Sequence, residues 1–188
     1  MINLVKLIIN RLSKVFLQID IPVSSYVSVP FIGLTGGRYI KIGQNSTIGK
    51  HAWLAAFDTF RDQRFKPSIN IGDNVTIGNF FCLTAIDKVE IGDGCLFSEY
   101  VYISDHSHGT DPRLGSPAIQ PLHSKGNVII GKNTFVGYRA SILPGVKLGE
   151  HCVVGAHSVV THSFPDFSVV AGVPARLLKN TDSNLSQI

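Results

Sequence analysis

An apolar residue recurs every six positions along most of the chain, and in many of these units a glycine follows it directly. Six is three times the two-residue period of a β-strand, and no α-helical period reproduces it. The units fall in groups of three, which predicts a parallel β-helix whose coils of about eighteen residues stack on one another. The repeating residues are Ile42, Ile48, Leu54, Ile71, Ile77, Leu83, Ile91, Phe97, Ile103, Ile130, Val136, Ile142, Leu148, Val154 and Val160.

A second position in each unit is small or apolar, which suits the narrow interior of a triangular prism. The glycines fit the corners of that prism, where a Cβ atom would crowd the turn. The remaining positions are mostly polar, and we expect them to face outward. The second inward position holds Ser46, Ala52, Val75, Cys95, Val101, Thr134, Ala140, Val146, Cys152 and Ser158.

The length of 188 residues favours one principal domain, of the all-β class. We expect an N-terminal helix and irregular cap over residues 1–39. The β-helix follows over residues 40–170, with a long loop at residues 104–129 that interrupts the repeat. Residues 171–188 are expected to form a C-terminal cap and tail.

Composition narrows the functions that are open to this chain. Its formal net charge is +4, and 44% of the residues are hydrophobic while 16% are charged. This mildly basic balance is compatible with a polyphosphate cofactor but lacks the dense Lys/Arg patch of a nucleic-acid binder. Cys82, Cys95 and Cys152 have no C-x-x-C spacing, so we expect reduced thiols in a cytoplasmic protein.

The segment from Met1 to Ile19 is apolar, with polar residues interleaved at mostly helical spacing. It is too interrupted to span a bilayer, and it lacks the small-residue cleavage site of a signal peptide. The pattern favours a helix that caps the open end of the prism or packs on a neighbouring subunit. A basic amphipathic helix that associates weakly with the inner membrane face is the alternative.

Three breaks in the repeat mark where function is expected, because long loops on a rigid scaffold carry many binding and catalytic groups. Residues 57–67 form an aromatic and charged insertion. Two extra residues between Leu83 and Ile91 predict a small bulge. Residues 104–129 leave the repeat for a long excursion that contains two histidines.

Together, three sequence features resemble the hexapeptide-repeat acetyltransferases: the six-residue units, the histidine-bearing excursion and the closing run from Ala171 to Arg176, Ala-Gly-Val-Pro-Ala-Arg. The nearest branch is similar to the sugar O-acetyltransferases, which include maltose and galactoside acetyltransferases and enzymes that modify bacterial surface polysaccharides. The resemblance covers about residues 40 to 178. It implies a left-handed β-helix, a homotrimer, acetyl-CoA as acyl donor and a sugar hydroxyl as acceptor, in capsule or lipopolysaccharide synthesis.

Acetyl transfer to a hydroxyl needs a base, because a protonated alcohol is a poor nucleophile, and imidazole titrates near neutral pH. The excursion offers His106 and His108. Counting from Ile103 without a gap matches His108 to the family's catalytic histidine, and a bulge in the loop would make His106 the base instead. Asp105 and Asp111 are expected near the base and the acceptor, where a carboxylate could orient the imidazole through its second nitrogen.

The insertion at residues 57–67 is a further candidate for the acceptor site. Its phenylalanines suit the faces of sugar rings, and Arg61 and Arg64 suit a phosphate or an acidic sugar. This composition favours a precursor of a surface glycan over free maltose. The alternative is an outer loop that packs its phenylalanines on a neighbouring coil.

The resemblance also implies a groove for acetyl-CoA between neighbouring prisms, close to the last coils. Tyr138, Ala156 and Thr161 match the family's positions for the cofactor's pantetheine arm. Arg176 and Lys179 are the candidates for its phosphates, since arginine binds phosphate through a planar fork. Relatives often carry a lysine after the Val-Thr pair, whereas this chain has a histidine there.

The residues leave several alternatives open. The same fold could acetylate an amine of a nucleotide-activated amino sugar, an amino acid or a drug. Outside the acetyltransferases, the alternatives are a non-enzymatic β-helix scaffold and a metal-dependent protein of the γ-carbonic anhydrase type. His106 and His108 share one face of an extended strand, but the sequence shows no third ligand, so we expect no metal.

Overall fold

The computed structural model describes residues 18–182, which form a parallel β-helix of stacked coils. Short strands from successive coils pair in parallel and build three sheets, which are the faces of a prism. Face 1 comprises Ile40–Ile42, Ser68–Ile71, Lys88–Ile91, Val128–Ile130 and Lys147–Leu148. Face 2 comprises Tyr26–Val27, Thr47–Ile48, Thr76–Ile77, Leu96–Phe97, Phe135–Val136, Val153–Val154, Ser168–Gly172 and Ala175–Asn180. Face 3 comprises Gly33–Thr35, Trp53–Ala56, Cys82–Ala85, Tyr102–Ser104, Ser141–Ile142 and Val159–Val160.

Equivalent residues of successive repeats stack on one another. Ile42 pairs with Ile71, Ile71 with Ile91, and Ile91 with Ile130. Each of these four side chains is at most 4% exposed. The predicted all-β class and the predicted parallel β-helix are therefore confirmed. The apolar residues of the six-residue repeat stack in columns that fill the interior of the prism.

All of the residues predicted at the second inward position are buried. The polar ones make hydrogen bonds to the backbone, which offsets the cost of removing a hydroxyl group from water. The Ser46 hydroxyl, for example, donates to the carbonyl oxygen of Gly72 at 2.8 Å and accepts from the amide of Val75 at 3.0 Å. Cys95 and Cys152 lie inside as free thiols, as the spacing of the cysteines predicts.

The corner between faces 2 and 3, which we call the tight corner, has connections of four residues in each of the five coils that follow the first. They are residues 49–52, 78–81, 98–101, 137–140 and 155–158. A Cβ atom on Gly49 would lie 2.6 Å from the carbonyl carbon of Gly78 in the next coil. That separation is too short for a real contact, so glycine is required where one coil's backbone rests on the next.

The corner between faces 3 and 1, which we call the open corner, carries connections of unequal length. Residues 57–67, the first excursion, contain a small antiparallel hairpin formed by Thr59–Phe60 and Gln63–Arg64. In the next coil the connection is reduced to Ile86 and Asp87, which is the bulge that the sequence predicts.

The second excursion, residues 105–127, leaves the same corner one coil later. Its strands His106–His108 and Leu122–Ser124 pair antiparallel. Two short 3-10 helices, Pro112–Leu114 and Pro117–Ile119, lie between these strands. Every interruption of the repeat that the sequence marks is therefore located on one edge of the prism.

A first coil precedes Ile40, where the regular repeats begin in the sequence. Tyr26–Val27 pairs with Thr47–Ile48, and Gly33–Thr35 pairs with the second coil on face 3. A 3-10 helix at Gly37–Tyr39 then leads into face 1. The first coil thus contributes strands to faces 2 and 3 although its sequence lacks the regular units.

The predicted N-terminal helix covers Met1 to Ile19, and the predicted membrane association depends on it. Residues 1–17 lie outside the described range, so only Gln18 and Ile19 can be compared with this prediction. Those two residues are not helical. Gln18 has a φ angle of 56°, and Ile19 is 1% exposed within the core. The prediction of a helix is wrong at these two residues, because Ile19 packs in the core and the next residue, Asp20, pairs in parallel with Lys41 of face 1. Within residues 18–182 no helix is long and apolar enough to cross a membrane.

An antiparallel hairpin closes the last coil on face 2. Ser168–Gly172 pairs with Ala175–Asn180, and Val173 and Pro174 form the reversal between the two strands. Val170 and Ala175 of this hairpin are buried. The run Gly-Val-Pro-Ala-Arg therefore reverses the chain and covers the end of the core.

Candidate active site

The two excursions are fastened to each other over face 3. The side-chain amide of Gln63 donates to the carbonyl oxygen of Leu122 at 3.1 Å, and its oxygen accepts from the amide of Leu122 at 2.7 Å. The guanidinium of Arg61 donates to the carbonyl oxygen of Ala118 at 3.4 Å. These contacts join segments more than fifty residues apart in sequence, so the two excursions form one structural unit.

A buried glutamine organises the second excursion from within. The side chain of Gln120 accepts from the amide of Asp111 at 2.9 Å and donates to the carbonyl oxygens of Asp111 and Gly115, both at 2.8 Å. Gln120 is only 2% exposed. A single side chain thus satisfies several backbone groups of the loop, which gives the histidine-bearing strand a fixed support.

His106 is held by the carboxylate of Asp105. Nδ1 of His106 lies 2.8 Å from Oδ1 of Asp105. Asp105 is fully buried, and its two oxygens accept from the backbone amides of Ile86 at 3.0 Å and Asp87 at 2.8 Å. A carboxylate oxygen accepts, so Nδ1 of His106 is assigned as the donor to Asp105, and in the neutral ring this tautomer leaves Nε2 as the acceptor.

The two amides that hold Asp105 come from the bulge in the preceding coil. Ile86 and Asp87 are the whole connection between Cys82–Ala85 and Lys88–Ile91. Both amides donate to the Asp105 carboxylate, which satisfies its two oxygens inside the protein and fixes the orientation of the side chain. The bulge therefore has a function that the sequence alone does not reveal, since it positions the partner of a histidine one coil away.

A cavity of about 300 Å³ lies beside the two histidines. Its polar lining comes from Thr84, His106, Ser107 and His108. Its apolar lining comes from face 3 and from both excursions, through Trp53, Phe57, Phe60, Tyr102 and Leu122. The ring of Phe57 meets His106 edge-on, and that of Phe60 meets His108 edge-on.

The two histidines differ in how firmly they are held. The side chain of His106 is 10% exposed and bonded to a fully buried carboxylate. His108 is exposed, and its ring rests on Phe60 with centroids 5.4 Å apart. The sequence favours His108 as the base and keeps His106 in reserve, whereas the geometry favours His106.

The predicted acceptor residues are placed differently from one another. Asp105 lies beneath His106 and is inaccessible to a substrate. Asp111 binds Arg113 at 2.6 Å, and this ion pair holds the pKa of the Asp111 carboxyl below its usual range. Arg61 and Arg64 are exposed on the first excursion, and neither lines the cavity.

The predicted acetyl-CoA residues lie elsewhere on the prism. Tyr138 and Ala156 occupy the tight corner, Thr161 follows the last strand of face 3, and Arg176 and Lys179 stand on the closing hairpin. Their role in binding acetyl-CoA stays a prediction. Among the described residues that line the cavity beside His106, however, none is from this set, so a single chain does not bring them to the histidine.

The sequence reasoning missed the cavity's apolar wall, above all Trp53 and Tyr102. Both occupy outward positions of face 3, in register with Cys82 between them. Aligning the six-residue units in columns would have placed both rings at the same outward position of face 3, one coil on either side of Cys82. The described residues contain no cluster of three His, Cys, Asp or Glu side chains that could hold a metal ion.

Comparison with known proteins identifies the family. Residues 127–162 match the model for the bacterial transferase hexapeptide (six repeats). The putative lipopolysaccharide biosynthesis O-acetyl transferase WbbJ of Escherichia coli K12 is 37% identical over 148 residues, which cover 74% of this chain and 71% of that protein. The galactoside O-acetyltransferase of the same organism is 32% identical over 145 residues, and the alignment covers 71% of this chain and 63% of that protein.

A probable acetyltransferase of Mycobacterium tuberculosis is 33% identical over 77% of this chain, which spans only 43% of that protein's length. Among solved structures, the N-acyltransferase AntD of Bacillus cereus superposes with a TM-score of 0.72, covering 94% of this chain and 92% of its own. Its 21% sequence identity shows the shared fold alone.

The chain belongs to the hexapeptide-repeat acetyltransferases. The predicted family and the predicted class of enzyme, an acyltransferase, are therefore confirmed, and the predicted use of acetyl-CoA agrees with that membership.

Proposed function

We propose that this protein is an acetyl-CoA-dependent O-acetyltransferase that acetylates a sugar hydroxyl in the synthesis of a surface polysaccharide such as lipopolysaccharide or capsule. The observation that carries the proposal is His106, whose Nδ1 is fixed by a buried carboxylate while the ring borders the cavity. The names of two relatives, a lipopolysaccharide O-acetyl transferase and a galactoside O-acetyltransferase, support the choice of acceptor.

In this proposal His106 is the general base. Nε2 takes the proton of the acceptor hydroxyl while the hydroxyl oxygen attacks the carbonyl carbon of the thioester. The C–O bond of the new ester forms as the C–S bond breaks, and the departing thiolate recovers the proton from Nε2. Asp105 keeps the ring in one orientation and stabilises the imidazolium that exists between the two proton transfers.

We infer that acetyl-CoA binds between copies of the chain, in a homotrimer of left-handed β-helices, as the family resemblance implies. Support comes from the positions of two of the predicted cofactor residues. Tyr138 and Ala156 lie at the tight corner, whereas His106 lies at the open corner, so a neighbouring prism is needed to bring a donor to the base. Light scattering should give about three times the chain mass of 20.4 kDa. A monomer that turns over acetyl-CoA would contradict the shared site.

Paired histidine variants test the catalytic assignment. His106→Ala should lower kcat by about a hundredfold or more, with the KM for acetyl-CoA nearly unchanged, because the base acts in the transition state. His108→Ala is the matched control and should keep kcat within about threefold, since its ring has no buried partner that fixes it. Thiol release should be measured with a panel of glycosides and nucleotide sugars. The opposite order of the two variants would return the base to His108.

The same panel tests the acceptor. Matched sugars with a hydroxyl or an amine at one position separate O-acetylation from N-acetylation. A clear preference for the amine would overturn the proposed acceptor but leave the role of His106 intact. The predicted cytoplasmic location stays a prediction.

A further inference from the structure

Two aromatic side chains stand in one outward column of face 3, at the cavity beside His106. Trp53 pairs in register with Cys82, and Cys82 pairs with Tyr102. Two strand spacings separate the backbones of the two aromatic residues by about 9.6 Å. Trp53 is 40% exposed and Tyr102 37% exposed, although both are large rings at the edge of a cavity. Rings left accessible in this way are available to a ligand.

The position of Trp53 depends on a glycine in the first coil. Gly33 is the in-register neighbour of Trp53 on face 3. A Cβ atom on Gly33 would lie 3.1 Å from Cδ1 and 3.3 Å from Nε1 of the indole. Because glycine carries no Cβ atom, the indole can lie directly against the neighbouring strand. The ring is therefore packed from below, which is the arrangement of a preformed platform.

Apart from the two histidines, the described residues that line the cavity are uncharged. None of its lining residues within the described chain carries a carboxylate, an ammonium or a guanidinium group. Three charged groups of the open corner are engaged elsewhere: Asp105 under His106, Asp111 with Arg113, and Arg61 on the carbonyl oxygen of Ala118. A charged substituent placed in this cavity would lose hydration and, among the described lining residues, would meet no charged partner other than a histidine.

We infer that the cavity is a subsite for a neutral pyranose ring, which stacks its apolar face on Trp53 and Tyr102 and presents one hydroxyl to Nε2 of His106. The C–H groups of a pyranose form an apolar face while its hydroxyls lie at the rim, which matches aromatic walls with few polar groups. Uronic acids and sugars with a free ammonium group are excluded from this subsite. This inference rests on the proposed sugar O-acetyltransferase function and names its acceptor class, which differs from the acidic acceptor that Arg61 and Arg64 suggest in the sequence.

Trp53 is the only tryptophan in the chain, so intrinsic fluorescence reports on this subsite directly. The full-length protein should be titrated with methyl glucoside and methyl galactoside, each beside the corresponding methyl uronide and methyl amino sugar. We expect a saturable change of emission, with a Kd for at least one neutral glycoside that is lower by about tenfold or more than for its charged counterparts. Unchanged emission across the whole panel, or tighter binding of a charged counterpart, would overturn the inference.

Two tyrosine variants provide a matched pair. Tyr102→Ala should weaken binding of the neutral glycoside by about tenfold, because one stacking surface is removed. Tyr100→Ala is the control, because Tyr100 is similarly exposed but stacks on Phe80 at the tight corner, and its Kd should equal that of the parent. Gly33→Ala should also weaken binding by displacing the indole. Equal effects of the two tyrosine variants would contradict the subsite.

Binding and turnover separate the two proposals. If acetyl transfer to glycosides depends on His106 but Trp53 emission does not respond to any of them, the acetyltransferase function stands and the stacking subsite fails. If the neutral glycosides change Trp53 emission but acetyl-CoA is never turned over, the subsite stands and the proposed function fails.

Discussion

The tight corner and the open corner flank the same face of the prism but differ in what the chain does there. At the tight corner the connections contain four residues in five successive coils. At the open corner consecutive connections contain eleven residues at 57–67, two at 86–87 and twenty-three at 105–127. The candidate catalytic histidine, its carboxylate and the cavity all belong to the open corner.

The difference has a physical origin in backbone packing. At the tight corner a Cβ atom on Gly49 would lie 2.6 Å from the next coil's backbone, so there is no volume for an extra residue. At the open corner the strands of faces 3 and 1 stay paired on both sides of connections of very different length, so the chain can leave and return without disturbing the ladders. A repeat that is uniform on two corners can therefore place a different loop on the third in each coil.

The largest expected effect is on stability, and it tests the rigidity of the tight corner. Gly49→Ala should lower the free energy of unfolding by about 3 kcal/mol, because the new methyl group must displace backbone of the next coil. Gly115→Ala in the second excursion is the control. Gly115 has a φ of 80° and a ψ of −152°, which residues with a Cβ atom rarely adopt, but its new Cβ would meet only Ile119, at 3.6 Å, so the cost should be smaller, about 1 to 2 kcal/mol. Denaturant unfolding measures both, and equal losses would refute the contrast between the corners.

The next effect concerns the carboxylate at the open corner. Asp105→Asn should lower kcat by about thirtyfold, equivalent to about 2 kcal/mol, because an amide cannot accept from both backbone amides and from Nδ1 of His106. Asp111→Asn, whose carboxylate binds Arg113 instead, is the control and should leave kcat unchanged. Equal values of kcat in the two variants would contradict the role of Asp105.

The free energy of unfolding should depend on pH through a thiol in the interior of the prism. Burial raises the pKa of the Cys95 thiol from 9.0 to about 11. The unfolded chain therefore loses this proton first, and stability should fall as pH rises through the window between these two values. The loss at pH 10.5 should be about 2 kcal/mol from this thiol. Cys95→Ala should lose correspondingly less stability between pH 8 and pH 10.5, and identical losses in the two proteins would contradict the assignment.

The smallest predicted effect tests the end of the prism farthest from the open-corner cavity. Arg176→Ala should raise the KM for acetyl-CoA by about tenfold with little change in kcat, as expected for one lost contact to phosphate. It should also reduce the dependence of KM on salt, because a screened interaction is removed. Arg113→Ala, on the exposed second excursion, is the control and should leave this KM unchanged. If Arg176→Ala behaves like Arg113→Ala, the closing hairpin is a cap without a phosphate contact.

The repeat could be predicted because each position of the six-residue unit has one environment throughout the stack. Every residue assigned to the small inward column, from Ser46 to Ser158, is buried. The first coil was not recognised because strands such as Tyr26–Val27 lack the apolar-glycine units, and their place is fixed by pairing with the coil that follows.

The candidate site was less predictable because it depends on contacts between coils. Counting along the sequence favours His108, but the chain turns into the protein directly after Ser104 and buries Asp105 against amides of the previous coil. That turn fixes the ring of His106. Trp53 and Gln63 lie more than forty residues before His106 in the sequence but contribute to the same site, and no local spacing signals such proximity.

The closing hairpin has a consequence for polymerisation. The end coils of a parallel β-helix present unpaired strand edges that another molecule could extend, which would produce filaments. Here Ala175–Asn180 runs antiparallel to the last strand of face 2. A second molecule docked on this strand would meet the wrong chain direction for continued parallel winding. Its exposed Arg176 and Lys179 also add repulsion between identical ends. The closing hairpin therefore opposes end-to-end extension of face 2 through both its strand direction and its charge. A fold that could in principle add coils without limit is stopped at a fixed number of them.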